Sequence, residues 1–121
     1  MNDNSGTPAG AAEPPVSLGV SRAATLDVVL RGEIDFGNAP QVLDAVQASV
    51  LRLRPALVRV DLALVTYFDS SAIRMLIKVA DVVETAGASL RLENPSVAVR
   101  RVLEITGLAD QFGPFERTGD R

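Results

Sequence analysis

Ala56-Leu57-Val58-Arg59-Val60-Asp61-Leu62-Ala63-Leu64-Val65 is followed by Asp69-Ser70-Ser71-Ala72 and then by Ile73-Arg74-Met75-Leu76-Ile77-Lys78-Val79-Ala80. The first segment is aliphatic and β-branched. It reads as a strand over Ala56–Leu62, and its near-continuous apolar character predicts burial on both faces, as in a central parallel strand. The last segment predicts a helix from about Ser70 to Ala86, stopped at Gly87. On that helix Ile73, Leu76, Ile77, Ala80 and Val83 project to one face and Arg74, Lys78, Asp81 and Thr85 to the other. The tetrapeptide between them sets two hydroxyls where a helix begins, the place where free N–H groups and the helix dipole favour negative charge. A serine there either caps the helix or carries a phosphate, and both uses remain open on these residues alone.

Working outward, Thr25–Arg31 reads as a strand that Gly32 interrupts, with a shorter strand starting at Val16. Asn38-Ala39-Pro40 predicts a helix start, because asparagine caps and proline is tolerated in the first turn. Val42, Leu43, Val46, Val50 and Leu53 keep helical spacing until Pro55. Downstream, Ala88–Leu92 is a short strand. Asn94-Pro95 then opens a third helix with Val99, Val102 and Leu103 inward, closed at Gly107. Phe112-Gly113-Pro114-Phe115 is a candidate edge strand. Strands alternating with helices predict an α/β sandwich in which parallel neighbours are joined by helical crossovers. Residues 1–15 hold Asn, Asp, Ser, Gly, Pro and Ala without apolar periodicity and read as a disordered tail. The domain is expected over residues 16–116, with a short tail at 117–121.

Composition excludes more chemistry than it suggests. The 121 residues contain no cysteine and no histidine. Disulfides, thiol nucleophiles, Ser-His-Asp triads, His-based zinc sites and phosphohistidine relays are therefore absent, and neither a metal nor a cofactor is expected. Net charge is −3, from 15 acids and 12 bases. Asp3 and Glu13 lie in the tail, so residues 21–121 hold 13 acids against 12 bases and lack the basic excess of a nucleic-acid binder. Arg52/Arg54 and Arg100-Arg101 read as solvated helix faces or ends. No apolar run approaches the roughly 18 residues a membrane span needs, and no secretory signal is visible. The expected location is the cytoplasm.

Four motifs in order carry a resemblance. Gly32-Glu33-Ile34-Asp35 with Ala39-Pro40 resembles the start of STAS domains, and Asp69-Ser70-Ser71-Ala72 resembles the D-S-[ST]-G signature of bacterial anti-sigma factor antagonists, which are stand-alone STAS proteins. Asn94-Pro95-Ser96 and Leu103-Glu104-Ile105-Thr106-Gly107-Leu108 follow at fitting spacing. The resemblance implies a single STAS-like α/β domain, a mostly parallel sheet of four to five strands against three to four helices. It implies that Ser70 is the phosphoacceptor, with Ser71 the lesser candidate. The implied partners are an anti-sigma factor serine kinase, which itself binds the ATP, and a PP2C-type phosphatase that resets the switch; the chain itself is no enzyme. Asp35 is expected to shape a loop that the resemblance sets beside Ser70 on the partner-facing edge. Asp69 either holds the turn or orients Ser70. Met75, at the margin of the apolar arc, is either core periphery or an apolar partner contact. Ala72 stands where the family has glycine, which suits a negative φ and would be strained at a positive one.

Other classes share some of these features, though nothing in the sequence nominates a carboxylate-only enzyme. A STAS module scaffolding a larger stress-signalling or transport complex would be indifferent to Ser70. A response-regulator receiver shares the size and alternation, but no acidic pair follows the first strand and the only lysine is Lys78.

Overall fold

Leu26, Val28 and Leu30 are buried and alternate with half-buried Thr25, Asp27 and Val29, the period of two that makes Thr25–Ile34 strand β2 of a sheet covered on one face. The computed structural model describes residues 13–22 and 24–112. Strand β1, Val16–Arg22, pairs antiparallel with β2, Val16 opposite Leu30. On the other side β2 pairs parallel with β3, Leu57–Phe68, and β3 pairs parallel with β4, Ser89–Glu93. The spatial order is therefore the chain order, β1-β2-β3-β4.

Parallel neighbours cannot be joined by a hairpin, so each such pair has a helix between its strands. Helix α1, Ala39–Leu53, links β2 to β3, and α2, Ser70–Thr85, links β3 to β4. The two pack on each other and on the same sheet face. Val28, Leu30 and Val60 from the sheet meet Val42 and Val46 of α1 and Met75, Leu76 and Val79 of α2 around a void of only about 10 Å³. Helix α3, Val97–Ile105, packs on β3 with Val99 and Leu103 buried, and a short α4 spans Ala109–Phe112. Among the described residues four strands and four helices form the expected α/β sandwich, within the anticipated four to five strands and three to four helices.

Several local expectations are corrected. Strand β2 runs through Gly32, which takes φ +76° at a register irregularity rather than ending the strand. Strand β3 extends to Phe68, six residues beyond Leu62. Between Asp61 and Tyr67 it carries extra residues against β2, since Val29 pairs with Asp61 but Arg31 with Leu64, and Gly32 with Val65 but Glu33 with Tyr67. Such bulges shift the phase of side chains and hide a strand from any period-two reading. Nor is β3 buried on both faces: Val58, Val60 and Leu62 are core, while Leu57, Arg59 and Asp61 are half-buried. On that second face Arg59 Nε donates to Asp27 Oδ1 at 2.8 Å, and Arg59 Nη2 to Ser21 Oγ at 3.1 Å. Partial burial pushes the Asp27 carboxyl up, but the hydrogen bonds from Arg59 and Ser21 and the guanidinium charge outweigh it and hold the carboxyl below its ordinary range. The hydrogen bond that Arg59 donates to Asp27 holds the guanidinium above its own ordinary range.

Helix α3 is capped by Ser96, whose Oγ accepts from Val99 N at 3.3 Å, and not by Asn94, which lies in the left-handed region at φ +53°. Helix α2 ends as expected. Gly87, at φ +80°, donates to Glu84 O, and Ala88 N donates to Val83 O, the paired bonds of a Schellman turn. Phe112 closes α4, donating to Leu108 O at 3.1 Å in helical fashion, so it starts no edge strand. Residues 113–115, the tail at 117–121 and residues 1–12 lie outside the described residues. Of the expected leading tail, Pro15 O accepts from Arg31 N at 2.9 Å and Glu13 pairs with Arg31 at 3.1 Å.

Candidate functional site

Strands β2 and β3 end in register, Ile34 beside Phe68, and Asp69 N donates to Ile34 O at 3.3 Å across the ends. Each strand is followed by an aspartate, so Asp35 and Asp69 are neighbours by construction of the sheet.

Asp35 organises its own loop. Its Oδ1 accepts from Gly37 N at 2.9 Å, and its carbonyl accepts from Asn38 N at 3.1 Å and Ala39 N at 2.7 Å. Asn38 sits at the N-cap of α1 without capping it by its side chain. Instead its Oδ1 accepts from Asp35 N at 3.0 Å and its Nδ2 donates to Glu33 O at 2.8 Å. Pro40 removes one of the first-turn donors a cap would serve. The result is a loop knotted at its base that holds Phe36 outward, 70% exposed.

Asp69 has the other job. It is the N-cap of α2, its Oδ1 accepting from Ala72 N at 3.0 Å. Ser70 and Ser71 are then the first two helical residues. Ser70 is exposed, and no described residue hydrogen-bonds its hydroxyl; Ser71 is half-buried. Ala72 is 0% exposed, and its helical φ is negative. Alanine at this position is therefore unstrained, and its methyl is part of the core.

The two junctions wall a groove of about 200 Å³. Phe36, Ala39, Pro40 and Leu43 form one side, and Ser71, Arg74, Met75 and Lys78 the other. Met75 is corrected here from margin to core. It is only 3% exposed and meets the groove as its floor, because α1 packs against the Ala72–Met75–Val79 side of α2. Asp35, Asp69, Ser70 and Ser71 thus lie together at one end of the sheet. Sequence reasoning missed Phe36, Pro40 and Leu43 as a wall and assigned Arg74 and Lys78 merely to solvent. The available signal was an aromatic in a Gly-flanked loop and two cations four and eight residues past Ser70. Among the described residues no group of three or more Asp or Glu side chains could hold a metal ion, and no helix is long and apolar enough to cross a membrane.

The model of the STAS domain matches residues 18–120. The chain belongs to the STAS domain family. An anti-sigma-B factor antagonist of Bacillus subtilis is 34% identical over 85 residues, covering 70% of this chain and 76% of that protein. Among solved structures, the anti-sigma factor antagonist SpoIIAA in its unphosphorylated form superposes with a TM-score of 0.73 at 20% identity, over 87% of this chain and 90% of that one. The phosphorylated form of Bacillus SpoIIAA gives 0.68 at 19% identity, over 87% and 93%. Both are likenesses of fold. In this STAS domain Ser70 places an exposed hydroxyl at the start of α2, and Asp69, not Ser70, caps that helix.

Proposed function

We propose that this STAS domain is an anti-sigma factor antagonist. Unphosphorylated, it binds an anti-sigma factor serine kinase and frees a sigma factor; phosphate on Ser70 ends that binding, and a PP2C-type phosphatase restores it. The chain supplies the accepting hydroxyl and no catalysis, while the partner brings the ATP. The observation that supports this most is the division of labour at the start of α2. Asp69 already satisfies the first-turn amide, so the Ser70 hydroxyl is exposed and uncommitted. Had Ser70 been the cap, its modification would have cost the helix an N-terminal bond.

A phosphate there adds about −1.5 to −2 charges at a helix end whose dipole tolerates them. A partner surface that accepted a neutral hydroxyl must instead desolvate a dianion beside Asp69. About 2.7 kcal/mol suffices to weaken binding roughly 100-fold, and juxtaposed like charges at an interface cost several kcal/mol. The contact surface on this reading comprises the Asp35 loop, Asp69, Ser70 and Ser71, with Met75 beneath. Intact mass after incubation with the cognate kinase and ATP tests it: one phosphate is expected on the wild type and none on Ser70→Ala. An unmodified wild type contradicts the reading. Kinase-independent binding to another complex, unchanged in Ser70→Asp, would make the domain a scaffold.

A further inference from the structure

The groove beside Ser70 is locally basic on an acidic chain. Its lining holds two cations, Arg74 and Lys78, and no carboxylate, on a chain whose net charge is −3. Neither cation forms an ion pair or side-chain hydrogen bond with a described residue. Its other walls are apolar: Phe36, Pro40, Leu43 and Met75. An apolar slot with two uncommitted cations at its rim fits a segment that presents an apolar side chain flanked by Asp or Glu. Arg74 is also four residues after Ser70 on α2, where side chains of a helix meet, and acid-before-base at that spacing is the favourable orientation.

We propose that Arg74 is the shared counter-ion of the switch. In the hydroxyl form it faces, with Lys78, the carboxylates of an acidic-apolar partner segment seated in the groove. In the phosphorylated form it pairs with the phosphate on Ser70. Phosphorylation then acts twice: it adds a dianion at the rim and withdraws the cation nearest to it from the partner. Lys78, eight residues on and about 12 Å away along the helix, stays with the groove. This rests on Ser70 being the phosphoacceptor.

The test has two arms. Phosphoserine is installed at position 70 during translation, without any kinase, and the second ionisation of the phosphate is followed by ³¹P NMR. Its pKa is expected to lie about 0.15–0.35 units lower in the wild type than in Arg74→Gln, with Lys78→Gln close to the wild type; equal values in wild type and Arg74→Gln overturn the proposal. In the second arm the unphosphorylated proteins are titrated with the cognate kinase. Arg74→Gln and Lys78→Gln are each expected to weaken binding several-fold at 0.1 M salt, and an Arg74→Gln affinity equal to wild type overturns the proposal. If the wild type itself fails to bind, the functional reading falls and this inference with it, whereas a wild type that binds alongside an unaffected Arg74→Gln sinks the inference alone. A dimer of this chain that dissociates on Arg74→Gln would make a second copy the occupant and likewise overturn it.

Discussion

The two strand-to-helix junctions at the top of the sheet begin alike and end differently. After β2, Asp35 opens a four-residue loop, bonds back into it, and leaves the N-cap side chain of Asn38 serving the loop instead of α1. After β3, Asp69 is itself the cap and α2 starts at the next residue. The first junction spends its polar groups on displaying an apolar residue, Phe36. The second spends one carboxylate and leaves two hydroxyls for other use. The groove and the exposed hydroxyl beside it therefore arise where two parallel strands stop in register and their helices begin at different distances from the strand ends.

That comparison can be broken from either side. Asn38→Ala removes an acceptor for Asp35 N and a donor to Glu33 O together, and it is expected to lower stability by about 1.5 kcal/mol in urea unfolding. Asp69→Ala deletes a single cap, with an expected loss of about 1 kcal/mol and fraying of the first turn of α2 by hydrogen exchange. If Asn38→Ala proves harmless, the loop is not held as described.

The far ends of the same strands supply a control. Asp27 is held below its ordinary carboxyl range despite partial burial, so its pairing with Arg59 stabilises the fold above the unfolded pKa, near 3.8, and that contribution is lost as pH falls through the lower folded value. The stability difference between wild type and Asp27→Asn is expected to be flat from pH 5 to 8, at no more than about 0.5–1 kcal/mol for a partly exposed pair, and to shrink below pH 4. Smallest of all, Ser70→Ala is expected to leave stability within about 0.5 kcal/mol of wild type, because its hydroxyl bonds to no described residue; a larger loss would return Ser70 to a capping role.

The alternation of strands and helices was legible because buried Val and Leu residues recur at clean periods, and Gly87 marked the end of α2 by the positive φ it supplies. The last six residues of β3 were not, because extra residues at Ala63 and Thr66 break the period that identifies a strand. Met75 was misjudged for a different reason. A helical wheel orders side chains around one axis but does not say from which side a second helix arrives, and α1 arrives on the Met75 side. Asp35, Asp69, Ser70 and Ser71 were each visible as motif residues. The groove was not, since its walls, Phe36 to Leu43 and Ser71 to Lys78, come from segments far apart in the chain that meet only when β2 and β3 pair.

The central claim is that the exposed hydroxyl of Ser70, left free by Asp69, controls partner binding. Calorimetric titration of the cognate anti-sigma factor kinase into this protein, unmodified and fully phosphorylated at Ser70, tests it most directly. The account predicts that phosphate weakens binding about 100-fold or more while the thermal unfolding of the domain alone stays within a few degrees. Equal affinity for the two forms would contradict it.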